Sequence, residues 1–157
     1  MTSSKGALLG VISDTHGLLR PEALKALEGV DRIIHAGDIG PPEILRELEA
    51  IAPVTAVRGN MDFGEWARDI QGTEVVEIGG AIIYVIHNLD QLDLNLGAAG
   101  FQAVVFGHTH QPEVRRVDGI LYLNPGSAGP VRGSKPASLA LVDVVDGRLT
   151  PRIVPLV

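Results

Sequence analysis

The chain has 157 residues, no cysteine, and 19 acidic against 13 basic side chains, for a formal net charge of −6. Without cysteine, disulfides, thiolate metal sites and cysteine nucleophiles are excluded. The acidic balance argues against a protein that coats nucleic acid and leaves a small phosphate-bearing substrate open.

A single domain over 1–157 is expected, burying roughly two-thirds of its unfolded surface, with residues 1–6 as a flexible N-terminus. That short polar start lacks the apolar stretch of a secretory signal. No apolar run approaches the ~20 residues that span a bilayer, so a cytoplasmic protein without a membrane partner is expected.

In chain order, strand and helix signals alternate. Ala7 to Ser13 is a near-continuous apolar run, the pattern of a strand buried on both faces, and it ends in Asp14-Thr15-His16-Gly17. Pro21 opens a helix with Ala23, Leu24 and Leu27 on one side and Gly29 as its C-terminal cap. Arg32 to Ala36 is a second strand ending in Gly37-Asp38. After Pro41-Pro42 a second helix carries Ile44, Leu45, Leu48 and Ile51 on one face. Val54 to Val57 is a third strand, followed by Arg58-Gly59-Asn60-Met61-Asp62.

The second half is richer in hairpins. Thr73–Ile78 and Ala81–Ile86 flank Gly79-Gly80, and the second of these strands ends in His87-Asn88. A short helix is expected over Leu92–Ala99. Val104-Val105-Phe106 is a buried strand that turns out at Gly107 into His108-Thr109-His110. Val114–Val117 with Ile120–Leu123, and Leu139–Val144 with Arg148–Val154, flank Asp118-Gly119 and Asp146-Gly147 as further hairpins. Asn124-Pro125-Gly126-Ser127 is a tight turn.

The chemistry lies at the strand ends. In open α/β sheets the loops at the carboxyl ends of parallel strands gather in one crevice. Asp14, His16, Asp38, Asn60, His87, His108 and His110 all stand there and are expected to converge. Two Asp, four His and one Asn exceed what one four-coordinate ion needs and suit two ions sharing a carboxylate. The mixed oxygen and nitrogen set favours Mn, Fe, Co, Ni or Zn over the all-oxygen shells of Ca or Mg. In an extended loop, His108 and His110 at i, i+2 point in different directions, which suits two adjacent ions better than one.

Asp14-Thr15-His16, Gly37-Asp38, Gly59-Asn60 and Gly107-His108-Thr109-His110, with the later Asn124-Pro125-Gly126-Ser127, resemble in order and spacing the calcineurin-like metallophosphoesterases, and among them the small YfcE-type phosphodiesterases. The resemblance covers almost the whole chain. It implies an α/β fold, a four-layer sandwich of two mixed β-sheets flanked by helices. It also implies a dinuclear-metal phosphodiesterase that cleaves P–O bonds by attack of a metal-bridging hydroxide on a small phosphodiester. One ion would be held by Asp14, His16, Asp38 and His110. The other would be held by Asp38, Asn60, His87 and His108, with Asp38 as the bridge. Asp38, Asn60 and His87 are the residues expected nearest the catalysis. Mn2+ is the expected metal, with Ni2+, Co2+, Fe2+, Zn2+ and Mg2+ as alternatives.

Two positions depart from the wider pattern. Met61 stands where many such enzymes carry a histidine that protonates the leaving group, so diesters with good leaving groups are the expected substrates. Asn88-Leu89 follows His87 where Gly, often followed by His, is usual, so the adjoining substrate pocket is expected to differ in shape. Arg58 is read either as a grip on a substrate phosphate or as a structural partner of Asp62, itself expected beside the ligands. His35 is expected in the core or behind the ligands, Asn124 and Ser127 on the site floor, and Trp66 in packing. The exposed hairpin edges are compatible with a homo-oligomer. The competing function is a protein-binding module that keeps this fold without catalysis, like the retromer subunit that shares it. Ligand completeness separates the two, because a retired active site is free to lose ligands and here all seven are present.

Overall fold

The computed structural model describes residues 6–131 and 133–156; residues 1–5 of the expected flexible N-terminus lie outside them. Among the described residues, ten strands form two five-stranded sheets. The first sheet begins with β1 (Ala7–Ile12), β2 (Arg32–His35) and β3 (Val54–Ala56), linked by α1 (Pro21–Ala26) and α2 (Glu43–Glu49). β9 (Ser138–Val145) and β10 (Arg148–Pro155) complete it in the order β10-β9-β1-β2-β3. β1, β2 and β3 are parallel, and β9 pairs antiparallel with both β1 and β10. The second sheet contains β4 (Thr73–Ile78), β5 (Ala81–Ile86), β6 (Ala103–Val105), β7 (Glu113–Val117) and β8 (Ile120–Asn124), in the order β4-β5-β6-β8-β7. Its central strands β5, β6 and β8 are parallel.

Side-chain alternation along the strands builds three cores, one at each interface of four layers. Leu9 and Val11 of β1, Ala140 and Val142 of β9, Ile83 and Val85 of β5, and Ala103 and Val105 of β6 meet between the sheets. The opposite faces of β1 and β9 send Ile12, Leu139 and Leu141 outward against Ala23 and Leu27 of the α1 region and Ile44 and Leu48 of α2. A Cβ at Gly10 would collide with Leu27, so this glycine lets the helical segment sit close on β1. On the outer face of the second sheet, Tyr84, Ile86, Val104 and Phe106 pack with Leu96, Leu92, Leu94 and Phe101.

That outer covering corrects one expectation. Leu92–Ala99 is not a helix; a 3-10 turn at Leu89–Gln91 precedes it, and the segment itself is irregular chain. Its leucines at 92, 94 and 96 alternate with polar residues, and the Asn95 side chain accepts from Ala98 N–H at 3.0 Å, a local turn that competes with helical pairing. The second sheet is therefore flanked by coil where helix was expected, while the hairpins and the two real helices fall where the sequence predicts them. Among the described residues no helix is long and apolar enough to cross a membrane.

Candidate metal centre

All seven expected ligands lie in loops beyond the carboxyl ends of β1, β2, β3, β5 and β6, and the packing of the two sheets brings them together. On one side, Asp14 Oδ1 is 3.3 Å from His110 Nε2 and 3.8 Å from His16 Nε2. On the other, Asn60 Oδ1 is 3.0 Å from His87 Nε2 and 3.3 Å from His108 Nδ1. Asp38 stands between them, its Oδ2 3.5 Å from His16 Nε2 and 3.3 Å from His87 Nε2. The two groups are not sealed from each other, because ligand atoms of Asp14, Asp38 and His87 also lie within 4.8 Å of one another. His108 and His110 do face different partners: the His108 ring lies 5.3 Å from that of His87, and the His110 ring 5.3 Å from that of His16.

Local structure aims these side chains. Asp14, His16, Asp38, His108 and His110 all have positive φ, a conformation that costs an L-residue energy and marks functional loops. Tertiary hydrogen bonds hold it: Asp14 N–H donates to Gly37 O and His16 N–H to Asp38 O, both at 3.0 Å. Gly59 and Gly107 supply space rather than torsional freedom. A Cβ on Gly59 would strike the Asp38 carboxylate, and one on Gly107 would strike Ser13 Oγ and Asp14 Oδ2. A glycine thus precedes Asn60 and His108 because a neighbouring ligand already occupies its side-chain volume.

The chain tests well as a cation site. Asp14 is wholly buried; its Oδ2 accepts from Ser13 Oγ–H at 2.6 Å and His108 N–H at 3.2 Å, while its Oδ1 and His16 Nε2 are buried with no hydrogen-bond partner. Buried polar atoms left unpaired are costly, and these two point at the same spot. His87 Nδ1 donates to Ala36 O at 2.7 Å and His110 Nδ1 lies 3.3 Å from Pro130 O. Each contact turns its ring so that Nε2 faces the other candidate ligands.

Electrostatics follow the same arrangement. Burial alone would raise the Asp38 carboxyl, but hydrogen bonds from His87 and from Met61 N–H outweigh it and hold Asp38 below the usual carboxylate range. Burial alone would lower His87; Asp38, the Ala36 carbonyl and Asp14 overcome it and raise the imidazole above its ordinary value. A cation and a proton would compete for His87 Nε2.

The supporting residues are more specific than the sequence suggests. Asp62 is buried and accepts from the backbone N–H groups of Asp38 (3.0 Å), Ile39 (2.9 Å), Gly59 (2.9 Å) and Gly40 (3.4 Å). It ties the Asp38 loop to the Asn60 loop. Both of its oxygens are thereby committed to backbone amides, so the reading of Arg58 as a partner of Asp62, one of the two offered by the sequence, gives way to this arrangement; the Arg58 side chain is exposed. Met61 is 53% exposed, and its contribution is the N–H that donates to Asp38 Oδ1 at 2.8 Å. Asn124 Nδ2 donates to Gly107 O and Thr109 Oγ1, both at 3.1 Å, fixing the loop that carries His108 and His110. Ser127 Oγ lies 3.2 Å from Asp14 O.

His35 stands behind the ligands rather than among them. Gly37 N–H donates to its Nδ1 at 3.1 Å, so its Nε2 carries the proton and donates to Thr15 Oγ1 at 3.0 Å. Complete burial, and after it the nearby His87, push its pKa down to about 3. Trp66 is half-buried against the helical side of the first sheet, a packing residue as expected.

Comparison with known proteins agrees with this geometry. A calcineurin-like phosphoesterase superfamily domain matches residues 8–147. A probable metallophosphoesterase of Methanothermobacter thermautotrophicus is 39% identical over 149 residues, covering 85% of this chain and 84% of its own. A phosphodiesterase of Methanocaldococcus jannaschii is 31% identical over 137 residues, covering 75% and 82%. Among solved structures, zinc-bound Vps29 of Entamoeba histolytica has the same fold, with a TM-score of 0.73 at 23% identity over 96% of this chain and 99% of that one.

Proposed function

This chain belongs to the calcineurin-like phosphoesterase superfamily, and from that premise we propose that it is a phosphodiesterase working with two divalent metal ions. The observation that carries the reading is the position of Asp38 Oδ2, within 3.5 Å of His16 Nε2 and 3.3 Å of His87 Nε2, beside a buried Asp14 oxygen that lacks any hydrogen-bond partner. Asp14, His16, Asp38 and His110 would hold one ion; Asp38, Asn60, His87 and His108 would hold the other. Ions bound there would supply hydroxide at neutral pH and neutralise charge on the phosphoryl oxygens.

The chain's own residues do the rest. Asp38 joins the two halves of the ligand set, and Asn60, a neutral donor, would keep the negative charge around the ions low. Ser13 and the His108 N–H pin one Asp14 oxygen so that the other faces the centre. The Ala36 carbonyl holds the His87 ring with Nε2 inward. No protein nucleophile is required: an oxygen from water joins phosphorus as the ester P–O bond breaks. Met61 offers the departing oxygen no proton, so aryl diesters, whose phenolate leaves unprotonated, are the favoured substrates. Mn2+ is the expected ion, and the cytoplasm the expected compartment.

The test is hydrolysis of bis(p-nitrophenyl) phosphate after chelation and re-addition of Mn2+, Ni2+, Co2+ or Mg2+. Turnover should vanish on chelation and return with at least one ion. Asp38→Ala should lose both ions and Asn60→Ala mainly one, read as metal content by elemental analysis. No turnover with any ion would favour a protein-binding module on this fold. Equal metal content in wild type and Asp38→Ala would defeat the shared-carboxylate assignment.

A further inference from the structure

We propose that the cavity beside the metal centre is a subsite for the substituent esterified to the reacting phosphate, and that it selects a substituent with a negative charge of its own. This rests on the phosphodiesterase reading above. The cavity measures about 240 Å³, and its lining includes Arg58, Asn60, His87, Asn88 and Gln91. Asn60 and His87 belong to the candidate ligand set as well, so an occupant of the cavity adjoins the reacting phosphate. The volume lies just below the ~300–1,000 Å³ of typical ligand pockets, which suits part of a substrate rather than a whole one.

The lining decides the chemistry. Beyond the shared residues it includes one arginine, one asparagine and one glutamine, and no acidic residue. Arg58 N–H donates to Gln71 O at 2.8 Å, which fixes the main chain there, while the nearest acid in sequence, Asp62, is buried with its oxygens on backbone amides. The guanidinium charge is therefore not cancelled by that neighbour. Asn88 Oδ1 accepts from Asp90 N–H at 3.0 Å, so its amide hydrogens are the groups it offers a ligand. Asp90 is exposed and is not part of the lining. Ile86 is the one large apolar residue in the wall, too little for an uncharged aromatic group, and neither an aromatic cage nor an acid is present to hold a cation. An oxyanion with acceptor oxygens satisfies Arg58, Asn88 and Gln91 together.

The experiment uses matched esters with one leaving group: thymidine 5′-(p-nitrophenyl phosphate), and the same compound bearing a 3′-phosphate. Calorimetry on the metal-reloaded protein compares thymidine 5′-monophosphate with thymidine 3′,5′-bisphosphate. Wild type should favour the additional phosphate by about tenfold in kcat/KM and in Kd, the scale of one charge-assisted hydrogen bond. Arg58→Gln should abolish both preferences, and Arg58→Lys should keep part of each because the charge remains without the fork. Arg46→Gln, which alters an exposed guanidinium 3.4 Å from Glu43 on α2, should leave both ratios as in wild type. Equal ratios in wild type, or a preference that survives Arg58→Gln, would overturn the subsite. If no ester is turned over with any ion, the phosphodiesterase reading fails and calorimetry alone decides: a tenfold preference lost in Arg58→Gln upholds the subsite, and its absence overturns it.

Discussion

The two ends of this molecule use the same unfavourable backbone conformation for different ends. Among the described residues, seven non-glycine positions have positive φ. Two of them, Asp118 and Asp146, sit in Asp-Gly hairpin turns beyond the far ends of the strands, where a positive φ at both turn residues matches the twist of the paired strands. Asp tolerates that region and the demand is local. The other five are Asp14, His16, Asp38, His108 and His110. No hairpin requires them, three are histidines, and each costs roughly 1 kcal/mol or more. Contacts distant in sequence hold them, such as His108 N–H on Asp14 Oδ2 at 3.2 Å. Turn strain belongs to the local sequence, whereas strain at the centre is maintained by the packing of two sheets.

The comparison breaks most readily at Asp62. Replacing it with Asn sets an NH2 group against backbone N–H donors and leaves some of them buried and unpaired. Stability should fall by about 3 kcal/mol and metal affinity by about tenfold or more. Urea melts and metal titration of the folded variant read the two effects, and an unchanged variant would mean that the strained loops are held by something else.

A smaller effect is expected at His35. The unfolded imidazole titrates near its ordinary 6.5, the folded one at about 3. Between those values the unfolded chain binds a proton that the native state refuses. This group's contribution is thus complete above about pH 6.5 and declines on acidification toward pH 3. His35→Gln keeps a donor toward Thr15 but cannot ionise, so the slope of stability against pH between 6.5 and 4.5 should flatten relative to wild type. Parallel slopes would reject the buried neutral imidazole.

The least effect belongs to the hairpin end. Asp146→Gly should shift stability by less than about 1 kcal/mol and leave metal content unaltered. A loss of metal there would erase the distinction between local and packed strain.

Much of this architecture is legible in the sequence because its signals are local. Gly79-Gly80, Asp118-Gly119 and Asp146-Gly147 mark hairpins, and all of the candidate ligands follow strand-like runs. What escapes is non-local. Asp62 can be suspected of standing near the ligands, but its partners are four backbone amides, and an amide leaves no trace in a residue's identity. The segment after His87 misleads for a related reason. Its leucines look like a helix face, yet they are drawn onto the sheet one by one, and nothing nearby reveals that the apolar side of β5 and β6 is waiting for them.

That coil has a practical consequence. Asn88 and Gln91 line the cavity beside the centre, while Leu89, Leu92 and Leu94 seal the outer core. A library that randomises position 91, restricts 88 to residues able to cap the turn through Asp90 N–H, and holds the leucines constant would vary the cavity wall while keeping the scaffold. The stretch behaves as an exchangeable cassette, bolted down on one side and open to redesign on the other.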